Sequence, residues 1–390
     1  MNYVLFDGNS RNSLLPFTFT RPVAEIRCGI LTLREKWERH LGATTSTVTE
    51  DYLSDKWPLV ELEENILINA SFCPTPELVK QILSLKEGEA IFDKEEVVAF
   101  FSTEGSVVNF DQLKKIPLEG EPFRIRNTWD IFRLNGVAIE ADFELLTRKR
   151  KGASISSTNQ IRGEEHIFIE EGAVVENAII NADKGPVYIA SGAEVMEGSI
   201  IRGPFALGEG AIVKMGAKIY GPTTVGPFSK AGGEIQNCVI FGYSNKSHDG
   251  YLGNSVVGEW CNLGADSNTS NLKNNYAEVR LWNYETRGFA RTGLQFCGLM
   301  MGDHSKSGIN TMFNTGTVVG VSANIFGSGF PRNFIPSFSW GGSAGMVTFK
   351  TEKAFEVAEK VMERKGLPFS DQDRAILEHV FELTREYRRD

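Results

Sequence analysis

An aliphatic residue at every sixth position through the centre of the 390-residue chain is the feature that most constrains its fold. The series has seven members: Ile189, Val195, Ile201, Leu207, Val213, Ile219 and Val225. Neither a helix period of 3.6 residues nor a strand period of 2 explains a step of six by itself. Glycine or proline recurs between the members, as at Gly203-Pro204, and supplies the backbone angles of tight turns. The pattern predicts short strands that stack as coils around an aliphatic column.

A parallel β-helix is the fold that this pattern favours. The alternative is a β-sandwich with regular turns, but sandwich strands usually run longer than this spacing permits. The repeats begin near Ile169 and Val175 and run regularly from Ile189 to about Ala231. They slip around Ile235 and Ile240, resume at Tyr251, Val257 and Leu263, break over 273–293, and return near Val319 and Ile325.

The distribution of glycine predicts three regions. Residues 1–150 hold 7 of the 39 glycines, residues 151–345 hold 31, and the remainder holds one. The break falls at the basic stretch Lys149-Arg150-Lys151-Gly152. We therefore expect an α/β domain over 1–150, the β-helix over 151–345 and a helical tail over 346–390.

Charge and cysteine usage exclude several classes of function. A net charge of −9 and a pI near 5.3 argue against a nucleic-acid-binding surface. The chain shows no apolar run long enough to span a bilayer and no secretory signal pattern, so we expect a cytoplasmic protein without a membrane partner. Its five cysteines are scattered without metal-ligand spacing, which predicts reduced, buried thiols and no metal site.

Strand and helix patterns alternate over residues 1–150, which predicts an α/β layer with a largely parallel sheet. Helices are expected to begin at Pro22, with Gly42 as the stop, and at Thr75-Pro76. The expected strands are Tyr3–Phe6, Ile66–Asn69, Ala90–Phe92 and Val97–Phe101. Two further amphipathic helices are expected in the tail, over 353–365 and from a Ser370 capping box onward.

The turn after the first strand is a candidate phosphate site. Backbone N–H groups around Gly8 could cradle a phosphate, and Arg11 and Arg21 could bind it. One glycine is a weak signal, and surface or ion-paired arginines explain the same residues equally well.

The order of the regions resembles the bifunctional sugar-1-phosphate nucleotidylyltransferase/acetyltransferases, whose type case makes UDP-N-acetylglucosamine (N-acetylglucosamine-1-phosphate uridylyltransferase). Gly8-Asn9-Ser10-Arg11 is similar to a shortened form of that family's G-x-G-T-R loop. Asn127-Thr128-Trp129-Asp130-Ile131 resembles its P-W-D-L-L stretch. The resemblance implies a left-handed β-helix, a homotrimer with sites between subunits, and a sugar phosphate or sugar nucleotide as substrate.

A departure from the family concerns the metal. The family has a strand ending in Gly-Asp whose carboxylate holds Mg²⁺, whereas the comparable strand end reads Ile68-Asn69-Ala70-Ser71. Phosphoryl-type transfer depends on such a metal. Nucleotidyl transfer is therefore expected to be slow or absent, and Mg²⁺ is expected only if another acid, Asp7 or Asp130, holds it.

The slip in the repeats carries the catalytic candidates. His248-Asp249-Gly250-Tyr251-Leu252-Gly253 matches the family's H-x-x-Y-L-G segment, and the following N-I-G-A-G segment and asparagine match with no gap. The resemblance implies His248 as general base and Asn271 as the residue that orients it or the amine. It also implies that Tyr251 and Asn262 contact the sugar phosphate and that Ala265 lies by the acetyl donor.

Further candidates are less specific. Lys218 matches a family arginine that binds sugar phosphate, only by charge, and Gln236 stands where the family has a lysine. The insertion over 273–293 reads as a protruding hairpin, whose Lys273 and Arg280, with Arg287 and Arg291, could clamp a phosphate of a neighbouring subunit. A solvated hairpin explains the same residues. His304, in a second polar turn, is a candidate for the acyl-donor groove.

Three functions remain open on this basis. The first is an acetyl-CoA-dependent N-acyltransferase acting on an amino-sugar phosphate or sugar nucleotide, with a degenerate nucleotidyltransferase domain. The second is a working sugar-1-phosphate nucleotidylyltransferase whose β-helix is a trimerisation scaffold. The third is a non-catalytic protein that binds a sugar nucleotide. The sugar, the base and the acyl group are left open.

Overall fold

Two units make up the chain, and the computed structural model describes residues 1–103, 105 and 109–388. The first unit comprises Met1–Leu14, Thr20–Ile26 and Leu31–Asn127. The second comprises Leu15–Phe19, Arg27–Ile30 and Thr128–Asp390. Residues 128–150 thus group with the second unit by their contacts. The functional boundary expected near residue 150 stays a prediction.

A six-stranded sheet forms the centre of the first unit. Its strands are β1 (Asn2–Phe6), β2 (Ser46–Val48), β3 (Glu64–Asn69), β4 (Glu89–Asp93), β5 (Glu96–Thr103) and β6 (Lys114–Pro117). The order is β2-β1-β3-β5-β4-β6. The pairs β1–β2, β1–β3 and β4–β6 are parallel, while β5 runs antiparallel to both of its neighbours. The sheet is therefore mixed, because β4 and β5 join directly as a hairpin.

Helices of the first unit are α1 (Ser10–Ser13), α2 (Leu33–Leu41), α3 (Asp51–Ser54) and α4 (Pro76–Leu83). The expected start at Pro22 is wrong, since only a 3-10 turn follows it, at Val23–Glu25. The helix begins after Thr32, whose side chain forms a capping box with Glu35. Gly42 ends it in the left-handed conformation, as expected. The Thr75 side chain accepts from Leu78 N–H and caps α4, as expected.

The second unit begins its regular structure with α5 (Thr128–Arg133) and α6 (Asn135–Thr147). Its first coils contain β7 (Gln160–Arg162), β8 (Ile167–Ile169), β9 (Val174–Val175), β10 (Ile179–Asn181), β11 (Val187–Ile189), β12 (Glu194–Val195), β13 (Ile200–Arg202), β14 (Phe205–Leu207), β15 (Ile212–Val213), β16 (Lys218–Tyr220), β17 (Thr223–Val225), β18 (Lys230–Ala231), β19 (Glu234–Gln236), β20 (Val239–Ile240), β21 (Asn245–Lys246), β22 (Tyr251–Gly253) and β23 (Val256–Val257).

The later coils contain β24 (Asn262–Leu263), β25 (Asn268–Thr269), β26 (Arg280–Asn283), β27 (Gly288–Arg291), β28 (Leu299–Met301), β29 (Lys306–Ser307), β30 (Met312–Phe313), β31 (Thr317–Val319), β32 (Asn324–Ile325), β33 (Phe334–Ile335), β34 (Ser339–Gly342) and β35 (Gly345–Thr348). Two helices follow, α7 (Thr351–Glu363) and α8 (Asp371–Leu383). The Ser370–Asp373 capping box of α8 is present, as expected.

Three sheets form the faces of a parallel solenoid of about ten turns. The first runs from β7 to β22 with six strands, the second from β8 to β33 with nine and the third from β9 to β35 with ten, and β25 and β30 pair as a separate two-stranded sheet. Ile201, Ile219, Ile235 and Leu252 lie in register and are buried, which is the aliphatic column that the six-residue period requires. The expected order of an α/β domain, a β-helix and C-terminal helices is confirmed.

The second sheet is covered on its outer face within the same unit. Helix α6 packs on β14 and β17. The Thr224 hydroxyl bonds to the Gly29 carbonyl at 3.0 Å and lies 3.1 Å from Asn135 Oδ1. This cover explains why β11, β14 and β17 are buried on both faces.

The insertion forms the expected hairpin, β26 and β27, but it does not protrude as a free arm. Trp282 stacks on Phe334 with ring centroids 4.1 Å apart, and Tyr284 packs edge-on against Phe334 and Tyr387. Burial of large aromatic rings stabilises the docked position.

All five cysteines are buried and free, as expected. Within the described residues, helices are too short or too polar to cross a membrane.

Candidate active site

A shortened turn explains the slip in the repeats. Four residues connect Val213 to Lys218, and four connect Lys246 to Tyr251, but only Gly232 and Gly233 connect Ala231 to Glu234. The strands on either side remain in register with those of the neighbouring coils. One corner of the solenoid therefore lacks two residues directly beside the turn that carries His248.

Both residues of the shortened turn must be glycine. A Cβ atom on Gly232 would lie 2.3 Å from the Ser247 carbonyl oxygen. Gly233 has φ +72°, and a Cβ there would lie 2.8 Å from the His248 carbonyl oxygen. Glycine alone tolerates both the backbone conformation and the close approach.

The Lys246 side chain occupies the space at this corner, a role that sequence reasoning missed. Lys246 shares the register of Ala231, and only 1% of it is exposed. Its ammonium donates to the Gly232 carbonyl at 3.1 Å, to the Asp249 carbonyl at 3.3 Å and to the His248 carbonyl. These three acceptors match the three donors of an ammonium group. The signal in the sequence was a lysine at an inward position of the repeat.

Burial lowers the pKa of Lys246 to about 8, while the Asp249 and Asp266 carboxylates act in the opposite direction. The lysine is therefore largely charged at neutral pH, and its carbonyl partners satisfy that charge.

His248 lies on the turn that this ammonium holds, and its side chain is exposed. In the described ranges no hydrogen bond to the imidazole is found, so both ring nitrogens are accessible to a ligand. Ala265 occupies the same position as His248 in the next turn, and Asp266 N–H donates to the Asp249 carbonyl at 3.0 Å. The structure thus brings His248 and Ala265 to one corner.

Tyr251 and Asn271 form a network beside this turn. The Tyr251 hydroxyl donates to Gln236 Oε1 at 3.0 Å and accepts from Asn271 Nδ2 at 3.0 Å. Asn271 also donates to Asn254 Oδ1 at 2.7 Å. Burial raises the pKa of Tyr251 to about 12, so its hydroxyl stays protonated at neutral pH. The asparagine therefore fixes the tyrosine in this structure, and its expected action on the imidazole or amine stays a prediction.

Two further candidates, Lys218 and Asn262, lie on strands of the first and third sheets. Lys218, Glu234 and Tyr251 lie in register on β16, β19 and β22, with the Lys218 ammonium 3.7 Å from Glu234. Two strand spacings, about 10 Å, separate Lys218 from Tyr251. Asn262 is exposed on β24, in register with Asn245 and Lys306 on the third sheet.

His304 lies at a different corner from His248. The His304 turn precedes β29 of the third sheet, whereas the His248 turn follows β21 of the same sheet. Its ring continues a column of stacked aromatic rings formed by Phe228, Tyr243 and Trp260. The structure does not bring the two histidines together, and a role of His304 toward the acyl donor stays a prediction.

Cations of the insertion are mostly engaged within the chain. Lys273 donates to the Glu278 carbonyl at 3.1 Å, and Arg291 lies 3.8 Å from the Glu278 carboxylate. Arg287 pairs with Glu386 at 3.0 Å. Arg280 is exposed and lies opposite Arg291 in the hairpin register. Arg280 is thus the best placed of this set for an anion.

The phosphate candidates of the first unit are packed inside it. Gly8 has φ +59°, and a Cβ there would meet the Asn69 side chain at 2.5 Å. Arg11 is buried and donates to Asp7 at 2.9 Å and to the Tyr52 hydroxyl at 2.9 Å. Burial raises the pKa of Asp7, although the Arg11 guanidinium opposes this. Arg21 is also buried, and its carbonyl accepts from Arg11 at 3.5 Å.

The strand end that would hold Mg²⁺ in the family is filled by a guanidinium. Arg124 is buried, forms an ion pair with Glu96, and donates to Ser71 Oγ at 3.1 Å and Ser10 Oγ at 2.8 Å. Ser71 Oγ donates to Asn69 Oδ1 at 2.7 Å. A fixed positive charge bonded to the nearby carboxylate does not fit a divalent cation, which prefers unpaired carboxylate oxygens.

Neither alternative acid is available. Asp7 is bonded to Arg11, and Asp130 forms an ion pair with Arg133 at 2.9 Å. No group of three or more metal-ligating side chains occurs within the described ranges. An open depression of about 590 Å³ lies beside Arg124 in the first unit, lined by Asn9, Ser10, Lys94 and Arg126 among others.

The chain is similar to known sugar nucleotidyl transferases in part of its length. Residues 3–151 match a family described as sugar nucleotidyl transferase. The bifunctional sugar-1-phosphate nucleotidylyltransferase/acetyltransferase of Sulfurisphaera tokodaii is 35% identical over 157 residues, which cover 40% of this chain and 38% of that protein. The bifunctional protein GlmU of Methanococcus maripaludis is 30% identical over 92 residues, 24% of this chain and 22% of that one.

A hexapeptide transferase family protein from Anaplasma phagocytophilum has a solved structure similar to 60% of this chain and 92% of its own length, at 17% identity and a TM-score of 0.26. The curated relatives are thus matched over less than two fifths of their length. The chain resembles the bifunctional sugar-1-phosphate nucleotidylyltransferase/acetyltransferases, as its motifs predict, and carries in residues 3–151 the sequence pattern of the sugar nucleotidyl transferases.

Proposed function

We propose that the protein is a transferase that moves an acetyl group from acetyl-CoA to the amine of an amino-sugar phosphate or sugar nucleotide. The observation that carries this proposal is the exposed imidazole of His248 on a turn held by Lys246, one coil from Ala265 and beside the Tyr251–Asn271 network. A general base must reach its proton directly, and an accessible imidazole on a fixed turn meets that requirement.

The proton balance assigns one role to His248. An ammonium has no lone pair, so the nucleophile is the neutral amine that has already given one proton to solvent. As its nitrogen bonds to the thioester carbonyl carbon, it passes a second proton to the imidazole. The carbon–sulfur bond then breaks, and the imidazolium returns the proton to the departing thiolate.

Tyr251 is proposed to bind the sugar phosphate. Its hydroxyl is held by Gln236 and Asn271, and its high pKa keeps it protonated, so it can donate to a phosphate oxygen in exchange for its bond to Gln236. Asn262 and Lys218 supply further polar or positive groups for the same substrate, and Lys273 and Arg280 are proposed to reach a phosphate bound at a neighbouring subunit. Hydrogen bonds to a charged phosphate are among the stronger ones in proteins.

A second candidate function concerns the first unit. Its match to sugar nucleotidyl transferases favours nucleotidyl transfer, and the open depression beside Arg124 offers room for a sugar nucleotide. The Arg124–Glu96 pair at the strand end supports binding without metal-dependent chemistry. We therefore propose a sugar-nucleotide-binding role for this unit, with nucleotidyl transfer slow or absent.

A homotrimer is proposed as the working assembly. The outer face of the first sheet exposes Ile179, Ile200 and Tyr220, which are 39–42% accessible in the single chain. Exposed apolar side chains on one flat face favour association with further copies. Sedimentation should give a mass three times that of the chain, and a stable monomer at micromolar concentration would contradict this assembly.

The function is tested by substrate screening. The purified full chain is incubated with acetyl-CoA and a panel of amino-sugar phosphates and UDP-amino-sugars, and release of the CoA thiol is measured. We expect turnover with at least one amine and none with the corresponding N-acetylated sugar. Pyrophosphate release from nucleoside triphosphates, sugar-1-phosphates and Mg²⁺ is measured in parallel. Rapid pyrophosphate release without acetyl transfer would favour the nucleotidylyltransferase instead.

A further inference from the structure

We infer that Lys246 is a positioning residue for His248: its buried ammonium replaces the backbone contacts that the shortened turn of the preceding coil cannot provide. The inference rests on the proposed function, in which His248 accepts the amine proton. Lys246 itself does not touch substrate.

Regular corners show what the shortened turn lacks. In a regular corner, a turn N–H donates to a turn carbonyl of the preceding coil, as Gly216 N–H does to Glu197 at 3.1 Å. One coil after His248, Asn310 N–H donates to the Ala265 carbonyl at 2.8 Å in the same way. The turn of Gly232 and Gly233 is two residues shorter and offers no residue at the corresponding position.

The Lys246 ammonium links the two turns by donating to carbonyls of both, in place of a backbone N–H of the His248 turn. It joins the Gly232 carbonyl of the shortened turn to the carbonyls of His248 and Asp249. A hydrogen bond from a charged donor is stronger than a neutral one, and its strength rises where water is excluded. The turn is thereby held by its carbonyls, and the imidazole on it remains exposed.

The charged residues around the ammonium are few. Asp249 and Asp266 lie close enough to favour its charged form, and His248 is carried by the turn itself. A neutral isostere removes the donors while filling the same space. Lys246→Met in the full chain therefore tests whether the ammonium positions His248, while the packing of the side chain is kept.

We expect Lys246→Met to lower kcat about 10- to 100-fold, because displacing a catalytic group by about 1 Å costs on that order. The KM for acetyl-CoA should stay within about twofold, since a base acts on the transition state rather than on donor binding. Lys230→Met is the matched control, because Lys230 points outward on the adjacent strand β18 and should leave kcat unchanged.

Rescue by a free amine distinguishes positioning from general loss of stability. Lys246→Ala leaves a space next to three carbonyl oxygens, which propylammonium can enter. We expect 50 mM propylammonium, on the order of a weak site's dissociation constant, to restore kcat several-fold in Lys246→Ala and not in His248→Ala. No restoration at any concentration would count against a positioning role.

Amide hydrogen exchange gives a readout independent of activity. Exchange of the Glu234 and Asp266 amides, which donate to the Gly250 and Asp249 carbonyls of the turn, should accelerate at least about tenfold in Lys246→Met but not in Lys230→Met, since the turn loses its fixed contacts. If Lys246→Met fails to fold, Lys246→Ala, with and without propylammonium, replaces it in the exchange measurement. Unchanged exchange and unchanged kcat in a folded variant would overturn the inference. If His248→Ala is fully active, the proposed function fails instead, and the exchange result still decides whether Lys246 fixes the turn.

Discussion

Two buried cations, Arg124 in the first unit and Lys246 in the second, differ in the groups that satisfy their charge. Arg124 is bonded to side chains, including the Glu96 carboxylate, at the strand end where the family resemblance places a metal. Lys246 is bonded only to backbone carbonyls, beneath a turn that presents an imidazole. A buried charge must be paired or fully hydrogen-bonded in either case. The first arrangement neutralises a carboxylate that a metal would need, and the second leaves the adjacent functional group accessible.

The difference bears on the chemistry proposed for each unit. A carboxylate paired with an arginine is a poor ligand for Mg²⁺, which is why slow or absent nucleotidyl transfer is proposed for the first unit. Because Lys246 bonds only to backbone carbonyls, it fixes the backbone of the turn, and both ring nitrogens of His248 stay accessible to a ligand.

His248→Ala should lower kcat about 10²- to 10⁴-fold, the usual contribution of a positioned general base. Binding of both substrates should remain nearly intact, as measured by KM and by equilibrium binding.

Asn271→Ala should lower kcat less than His248→Ala does, because Asn271 contacts the Tyr251 hydroxyl and not the imidazole. Tyr251→Ala should mainly raise the KM for the sugar. His166→Ala, an exposed histidine elsewhere in the second unit, is the control. Equal rates for wild type and His248→Ala would show that the shortened turn serves another purpose.

Arg124→Met should destabilise the first unit by about 1–3 kcal/mol, because it leaves the half-buried Glu96 carboxylate and the Ser71 and Ser10 hydroxyls without their donor. Denaturant unfolding followed by a signal from the first unit measures this cost. The exposed Arg126 pairs with Asp93 at 3.0 Å, so Arg126→Met should cost less than about 1 kcal/mol. Equal costs for the two variants would mean that Arg124 is not structural. Tight Mg²⁺ binding by the wild-type chain, measured by calorimetry, would contradict the contrast directly.

Gly233→Ala should destabilise the second unit by more than Gly216→Ala. Both glycines have positive φ, +72° and +68°, so both substitutions incur about 1–2 kcal/mol of left-handed strain. Only at Gly233 would the new Cβ also lie 2.8 Å from the Gly250 and His248 carbonyl oxygens. We expect a difference of about 1–3 kcal/mol from this overpacking, measured as the shift in unfolding midpoint. A smaller cost at Gly233 would show that the shortened turn is not tightly packed.

Stability should depend on pH through Lys246. Its folded pKa of about 8 lies below the ordinary lysine pKa of 10.5, so between these two pH values the unfolded chain binds one more proton than the folded chain. Unfolding free energy from this group therefore rises with pH across that window, by at most about 1.4 kcal/mol per pH unit. Subtracting the profile of Lys246→Met removes the contributions of other groups, including Lys306, whose pKa is also about 8. A flat difference profile would contradict the lowered pKa.

The sequence by itself determined the coils of the second unit and the starts of two helices, because their causes lie within a few residues. The six-residue period required coils, because each coil must return one aliphatic residue to the same column. Thr75 and Ser370 fixed the starts of α4 and α8 through their own side-chain caps. The start expected at Pro22 failed because Asp7, sixteen residues away, accepts the Val23 N–H and the capping box at Thr32 begins the helix.

Tertiary structure decided what the polar side chains do. The slip was visible in the sequence, but the role of Lys246 depends on which carbonyls the register of two coils brings beneath its ammonium. Arg124 meets Ser71 and Ser10 from 53 and 114 residues away, a contact that no sequence spacing reveals. Periodicity specifies which face of an element is buried. The pairing of buried charges instead depends on atoms that only chain folding brings within hydrogen-bond distance.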